Sequence, residues 1–299
     1  MPAATPEIGF VGLGRMGGAM AARLLAAGYP VYGTALSRAD VEGLEASGLR
    51  WMETPRALAE AADIVFTSIP DDPALNEIAS GTDGILAGLA PHMIWADMST
   101  VSPRASRDLA ARVRERDAAL LDAPVSGSVP QAQAGTLTIM VGGDEDAYAR
   151  VEPILRELGN PTRIGPNGHG LVLKLAVNIS LGVQMLAFAE GLVLAERSGV
   201  DPEIALDVMA QSAIASPMLK ARAPIVHDLP QEAWFDLGFM QKDLQLALGI
   251  GREVGAPLPT ADRASDVIGL ANALGYDHRD IAALVTRLEE LAAKKPEAA

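Results

Sequence analysis

Hydrophobic and polar residues follow two different periods along the first half of the chain. Short apolar runs at 7–11, 30–35, 63–69, 92–97, 119–122 and 137–141 have the length of buried strands. Between them, 16–27, 38–47, 73–79, 103–116 and 145–158 repeat apolar residues at helical spacing, and Gly28 stops the first of these helices. Strands alternating with helices predict a parallel sheet covered on both faces.

After Gly165 the pattern changes. Pro166-Asn167-Gly168 is a turn cluster, and no strand pattern follows it. Residues 170–197 predict one long helix, and 201–211, 239–254, 259–274 and 279–292 predict further helices, with Gly199, Gly255 and Gly275 as stops. The greasiest stretch, 171–195, is interrupted by Lys174, Asn178, Gln184 and Glu190, which favours a buried helix over a membrane span. The chain therefore divides into an α/β half at 1–165 and an all-α half at 166–299, the latter led by the long interdomain helix. Residues 294–299 form a short low-complexity tail.

The length of 299 residues suffices for two domains, each with its own core. Lys and Arg number 24 against 38 Asp and Glu, a net charge of −14 that argues against nucleic acid or an anionic membrane as partner. The absence of cysteine excludes disulfides, thiolate metal sites and a Cys nucleophile. His92, His169, His227 and His278 lie far apart, so no metal is expected. The first ten residues lack the basic and apolar segments of a secretory signal, and a cytoplasmic location is expected.

Gly12-Leu13-Gly14-Arg15-Met16-Gly17 follows the first strand and opens the first helix, the context in which Gly-x-Gly-x-x-Gly binds a dinucleotide. Gly12 allows the tight turn, Gly14 lets a pyrophosphate approach the backbone, and Gly17 lets helix pack on strand. Such a turn can also be only a turn, but its setting points to a Rossmann-type doubly wound domain. An acidic residue ending the second strand would hold an NAD ribose. Here Ala35-Leu36-Ser37-Arg38 stands instead, and Ser37 with Arg38 suits the 2′-phosphate of NADP; otherwise Arg38 is a solvated helix-start residue.

Asp122-Ala-Pro-Val-Ser126-Gly127-Ser128 leaves a strand end, where open α/β sheets bind ligands. Ser126, the Gly127 amide and Ser128 offer uncharged donors for a small carboxylate, or form a bare turn. Lys174 lies in an otherwise apolar helix with Asn178 four positions on, hence on the same face. A lysine there is either used for acid–base work or snorkels to solvent. Lys242-Asp243 by itself reads as a solvated helical pair.

Four motifs in order carry a family resemblance over nearly the whole chain: GFVGLGRMGGAM at 9–20, DAPVSGS at 122–128, GLVLKLAVN at 170–178 and QKDLQLAL at 241–248. The sequence resembles the β-hydroxyacid dehydrogenases (3-hydroxyisobutyrate dehydrogenase-like). AFAEGLVLAERSGVDP at 187–202 and SAIASPM at 212–218 look most like the glyoxylate/succinic semialdehyde reductase branch. The resemblance implies Lys174 as catalytic acid–base with Asn178 orienting it or the substrate oxygen, and Ser126, Gly127 and Ser128 around the substrate carboxylate. It implies Ile69 and Pro70 along the cofactor, Thr100 at its nicotinamide end, and Lys242 closing over it. It further implies a semialdehyde reductase or hydroxyacid dehydrogenase that forms homodimers or homotetramers, while the expectation of NADP as its cofactor rests on Ser37 and Arg38. The family usually carries Ser-Gly-Gly where Ser128 adds a hydroxyl here, and the glyoxylate branch often has more polar residues than Gly238-Phe239. Two rival readings are an imine reductase of the same fold and a non-catalytic dinucleotide-binding protein. Relatives of both kinds usually lack the lysine that stands here at 174.

Overall fold

The computed structural model describes residues 5–293, so the tail at 294–299 lies outside the described residues. It forms two compact units, Met1–Lys174 and Leu175–Ala299.

The first unit is built on strands β1 (Ile8–Val11), β2 (Val31–Thr34), β3 (Arg50–Trp51), β4 (Ile64–Thr67), β5 (Ile94–Asp97), β6 (Ala119–Asp122), β7 (Val125–Ser126), β8 (Leu137–Gly142) and β9 (Gly159–Gly165). The order β3-β2-β1-β4-β5-β6 is parallel throughout, a doubly wound sheet in which the order of strand addition reverses between β1 and β4. Burial on both faces explains the unbroken apolar runs. Ile64, Phe66, Ile94 and Ala96 enter one core with Phe10, while the intervening Val65 and Trp95 enter the other with Leu58.

Helix starts follow local chemistry. Thr54, Asp71, Ser102 and Asp144 each accept the amide three residues on, a cap worth about 1 kcal/mol. The predicted helix at 38–47 is broken into a tight turn at Arg38–Val41 and a helix at Glu42–Ala46.

β8 runs antiparallel to the end of β6 and to β7 in one register: Asp122 opposes Gly142, Val125 opposes Ile139 and Ser126 opposes Thr138. The Met140 amide donates to the Pro124 carbonyl at 3.0 Å between them. The segment from Asp122 to Ser126 is therefore one strip fastened along β8. β9 pairs with β8 in parallel.

The second unit packs helices Pro202–Gln211, Pro217–Arg222, Leu237–Val254, Pro259–Ala271 and Leu284–Ala293 with the long helix His169–Arg197, of which it holds the part from Leu175 on. Met185, Phe188, Leu192, Met240, Leu244 and Ile268 lie in its core. The predicted helix at 259–274 ends early, because Asn272–Tyr276 forms a wider turn with Gly275 at φ 85°. The one predicted at 279–292 begins late: Asp280 accepts the Ala282 amide at 3.0 Å and the chain first makes a tight turn at Ile281–Ala283. By length and composition alone His169–Arg197 is able to cross a membrane, with hydropathy 1.8, and 44% of that window is buried inside the protein.

Candidate active site

Parallel strands end on one edge of their sheet, so the loops after β1, β2, β4, β5 and β6 share that edge. They carry, in turn, the glycine turn, Ser37 with Arg38, Ile69 with Pro70, Thr100, and, continuing through β7, Ser126 to Ser128. The glycine turn lies where the strand order of the sheet reverses. Gly12 has φ +87°, and a Cβ there would overlap the Ser68 carbonyl. Gly17 packs against the Gly12 carbonyl, where no Cβ fits. A Cβ at Gly14 would meet nothing within 4 Å, so the backbone there is open to a ligand. The helix Arg15–Ala26 starts from Gly14 with no side-chain cap and no acidic residue in its first turn. Its first amides, Leu13 and Met16 around them included, fit the pyrophosphate of a dinucleotide.

Arg38 is exposed and grips Glu45 through two nitrogens, at 2.8 and 3.2 Å, with its guanidinium 5.8 Å from the Trp51 ring centre. A buried network holds the next two loops. Thr67 and Ser99 hydroxyls donate to Asp97 Oδ1 at 2.7 and 2.6 Å, Trp95 Nε1 donates to Thr67 at 2.9 Å, and Ser99 Oγ accepts the Ile69 amide at 2.9 Å. Ile69 is thus tied to a buried polar base that no sequence motif marks, and Thr100 follows Ser99 directly in the chain.

Directly after β7, Gly127 has φ +134° and a Cβ there would stand 2.8 Å from Leu137, so only glycine fits. Ser128 heads a helix at Val129–Ala134, and its amide donates to Gln131 Oε1 at 2.9 Å. Asp122, the last residue of β6, is fully buried and accepts the Gly168 and Leu171 amides at 2.7 and 3.1 Å. Burial pushes its carboxyl up from 3.8 to about 6, against the pull of these hydrogen bonds. Asp97 and Asp122 each end an apolar strand and face each other in register across β5 and β6.

Lys174 is 8% exposed, so it does not snorkel, and Asn178 one turn on is 1% exposed. Asn178 Nδ2 donates to Asp243 Oδ2 at 2.5 Å, and Lys242 Nζ lies 3.2 Å from Asp243 Oδ1. The expectation of a solvated Lys242-Asp243 pair is corrected for Asp243, which is 2% exposed. On the helix Leu237–Val254 it shares the buried face with Met240, Leu244 and Ala247. Lys242 lies half-exposed, 5.7 Å from the Phe239 ring centre.

Both halves match family models. Residues 7–168 match the NAD binding domain of 6-phosphogluconate dehydrogenase, and 168–288 match the NAD-binding domain of NADP-dependent 3-hydroxyisobutyrate dehydrogenase. The chain is 34% identical to 2-(hydroxymethyl)glutarate dehydrogenase of Eubacterium barkeri, over 95% of each chain. It is 32% identical to glyoxylate/succinic semialdehyde reductase 2 of Arabidopsis thaliana, over 98% of this chain and 82% of the other. The structure of Mycobacterium tuberculosis 3-hydroxyisobutyrate dehydrogenase with L-serine superposes with a TM-score of 0.83 at 31% identity, covering 95% of this chain and 99% of that one. An imine reductase of Myxococcus stipitatus, at 18% identity and TM-score 0.64, shares the fold alone. Matched nearly end to end and in both halves, the chain belongs to the β-hydroxyacid dehydrogenase family.

Proposed function

We propose that the protein is an NADP(H)-dependent oxidoreductase that interconverts a small carboxylate-bearing aldehyde, of semialdehyde or glyoxylate type, and its hydroxy acid. The observation that carries this reading is the burial of Lys174 with Asn178 one turn further along the same helix face. A lysine withdrawn from water is costly unless it is paired or used, and acid–base work is such a use. When bound, the nicotinamide supplies or accepts the hydride. In reduction, Lys174 Nζ stabilises the developing alkoxide and then donates a proton to it. In oxidation, the neutral amine takes the hydroxyl proton. Asn178, held by Asp243, orients the lysine or the substrate oxygen. Ser126, the Gly127 amide and Ser128 hold the carboxylate.

Gly12 to Gly17 hold the pyrophosphate, Ser37 and Arg38 the 2′-phosphate, and Ile69, Pro70, Thr100 and Lys242 the rest of the cofactor. Arg38 meets NADP by exchanging Glu45 for phosphate. We assign dinucleotide binding to 1–165 and substrate binding with self-association to 166–299. Exposed Leu194, Ile204, Val208 and Ile214 support a homodimer or homotetramer, and the net charge of −14 supports the absence of a nucleic-acid or anionic-membrane partner; a cytoplasmic location belongs to the same reading. The possession of Lys174 favours this reading over an imine reductase or a non-catalytic protein. Steady-state rates on glyoxylate, succinic semialdehyde, methylmalonate semialdehyde and tartronate semialdehyde, each with NADPH and NADH, test it. Turnover of none of them by either cofactor overturns it.

A further inference from the structure

The Asp122 carboxylate has no part in the chemistry set out above, yet it is the most fully enclosed acid near the substrate loop. We propose that Asp122 is a positioning residue, which ties the first turn of the long helix to the end of β6 and so fixes Lys174 relative to Ser126, Gly127 and Ser128. The inference rests on the reading of Lys174 as the acid–base group.

Each carboxylate oxygen holds the start of that helix: Oδ1 accepts the Gly168 amide at 2.7 Å and Oδ2 the Leu171 amide at 3.1 Å. Asn167 adds a second tie, its Nδ2 donating to the Leu120 carbonyl at 2.8 Å. The 166–168 turn is thus fastened to β6 at two points. The surroundings leave room for the carboxylate and nothing more. A Cβ at Gly142 would stand 2.6 Å from both oxygens, and one at Gly170 would stand 2.9 Å from Oδ2. An anion here also faces the positive end of a 29-residue helix.

The clamp stands close to both things it joins. Leu171 precedes Lys174 by less than one helical turn, a rise of about 4.5 Å. Asp122 also begins the strip that runs along β8 to Ser126. One side chain therefore starts the substrate loop and holds the lysine's helix. Catalysis is sensitive to such placement, since a shift of about 1 Å can cost roughly 10²-fold in rate.

Asp122→Asn keeps the shape, removes the charge and turns one acceptor into a donor that faces an amide. The full-length variant is titrated with NADPH to count binding sites, and kcat is expressed per site on the best aldehyde. We expect kcat per site to fall by about tenfold or more, with the aldehyde KM and NADPH Kd changed less than about twofold, because neither Ser126 nor the glycine turn loses a partner. A merely structural role would lower the number of sites and leave kcat per site at the wild-type value, and that result overturns the proposal. Should Asp122→Asn not fold, Gly142→Ala is read in the same way: it displaces the carboxylate without removing it, and an unchanged kcat per site again overturns the proposal. Lys174→Ala run alongside separates the two readings. If that variant keeps wild-type kcat, the acid–base reading fails. If it is inactive while Asp122→Asn turns over normally, only the positioning role fails.

Discussion

Arg38 and Glu45 form an exposed pair beyond β2, the kind of contact that contributes little and yields easily to a stronger anion. A 2′-phosphate carries more charge than a carboxylate and accepts the same forked hydrogen bonds. Arg38→Ala is therefore expected to weaken NADPH binding by about ten- to a hundredfold and leave NADH nearly unchanged, as fluorescence titration will measure. Equal losses for both cofactors contradict the phosphate contact. At this scale the sequence was legible where one residue broke a pattern. Lys174 stood out as a charge in an apolar helix. Asp122 and Asp97 did not, because an acid closing an apolar strand looks the same as one entering a solvated turn. Asp243 was hidden by its neighbour: adjacent helical positions point about 100° apart, so Lys242 says nothing about which way Asp243 faces.

Among the elements, the short helix Val129–Ala134 changes how Ser128 is tested. Glycine at an N-cap costs only a few tenths of a kcal/mol relative to serine, so Ser128→Gly is expected to fold. If the hydroxyl shapes the acid pocket, relative kcat/KM values across acids of different length shift by up to about 1–3 kcal/mol per methylene-sized difference. An unchanged ranking places specificity elsewhere. In the helical unit, Asp280 accepts Arg222 Nε at 2.9 Å and the Trp234, Phe235 and Ala282 amides at 3.0, 3.1 and 3.0 Å. Asp280→Ala strands a buried guanidinium and three amides, and is expected to cost about 3–5 kcal/mol, seen as a lowered thermal midpoint. A midpoint equal to wild type contradicts this. Long periodic elements were readable in the sequence, but β3 and β7, two residues each, carry too little pattern. β9 reads GNPTRIG, without alternation; pairing only with β8, it tolerates Pro161 as an edge strand does.

For the whole molecule, the change from alternating strands and helices to helices alone was legible because it alters the hydrophobic period over more than a hundred residues. Its pH response was not, since that depends on what encloses Asp122. With the folded carboxyl at about 6 against an ordinary 3.8, the folded chain keeps a proton that the unfolded chain has released between those values. The folded state is thus favoured at the acid end of this window, and that advantage is lost as pH rises through it, up to about 3 kcal/mol in all. The stability of wild type relative to Asp122→Asn, from urea unfolding, is expected to fall between those pH values and then level off. A pH-independent difference contradicts the burial of a charged carboxylate. The central claim is tested most directly by the turnover of carboxylate-bearing aldehydes with NADPH by wild type and Lys174→Ala. We expect wild type to reduce at least one of the four aldehydes, and the variant to lose about 10²–10⁴-fold in kcat while binding NADPH normally. A Lys174→Ala protein that keeps the wild-type kcat on that aldehyde contradicts the account.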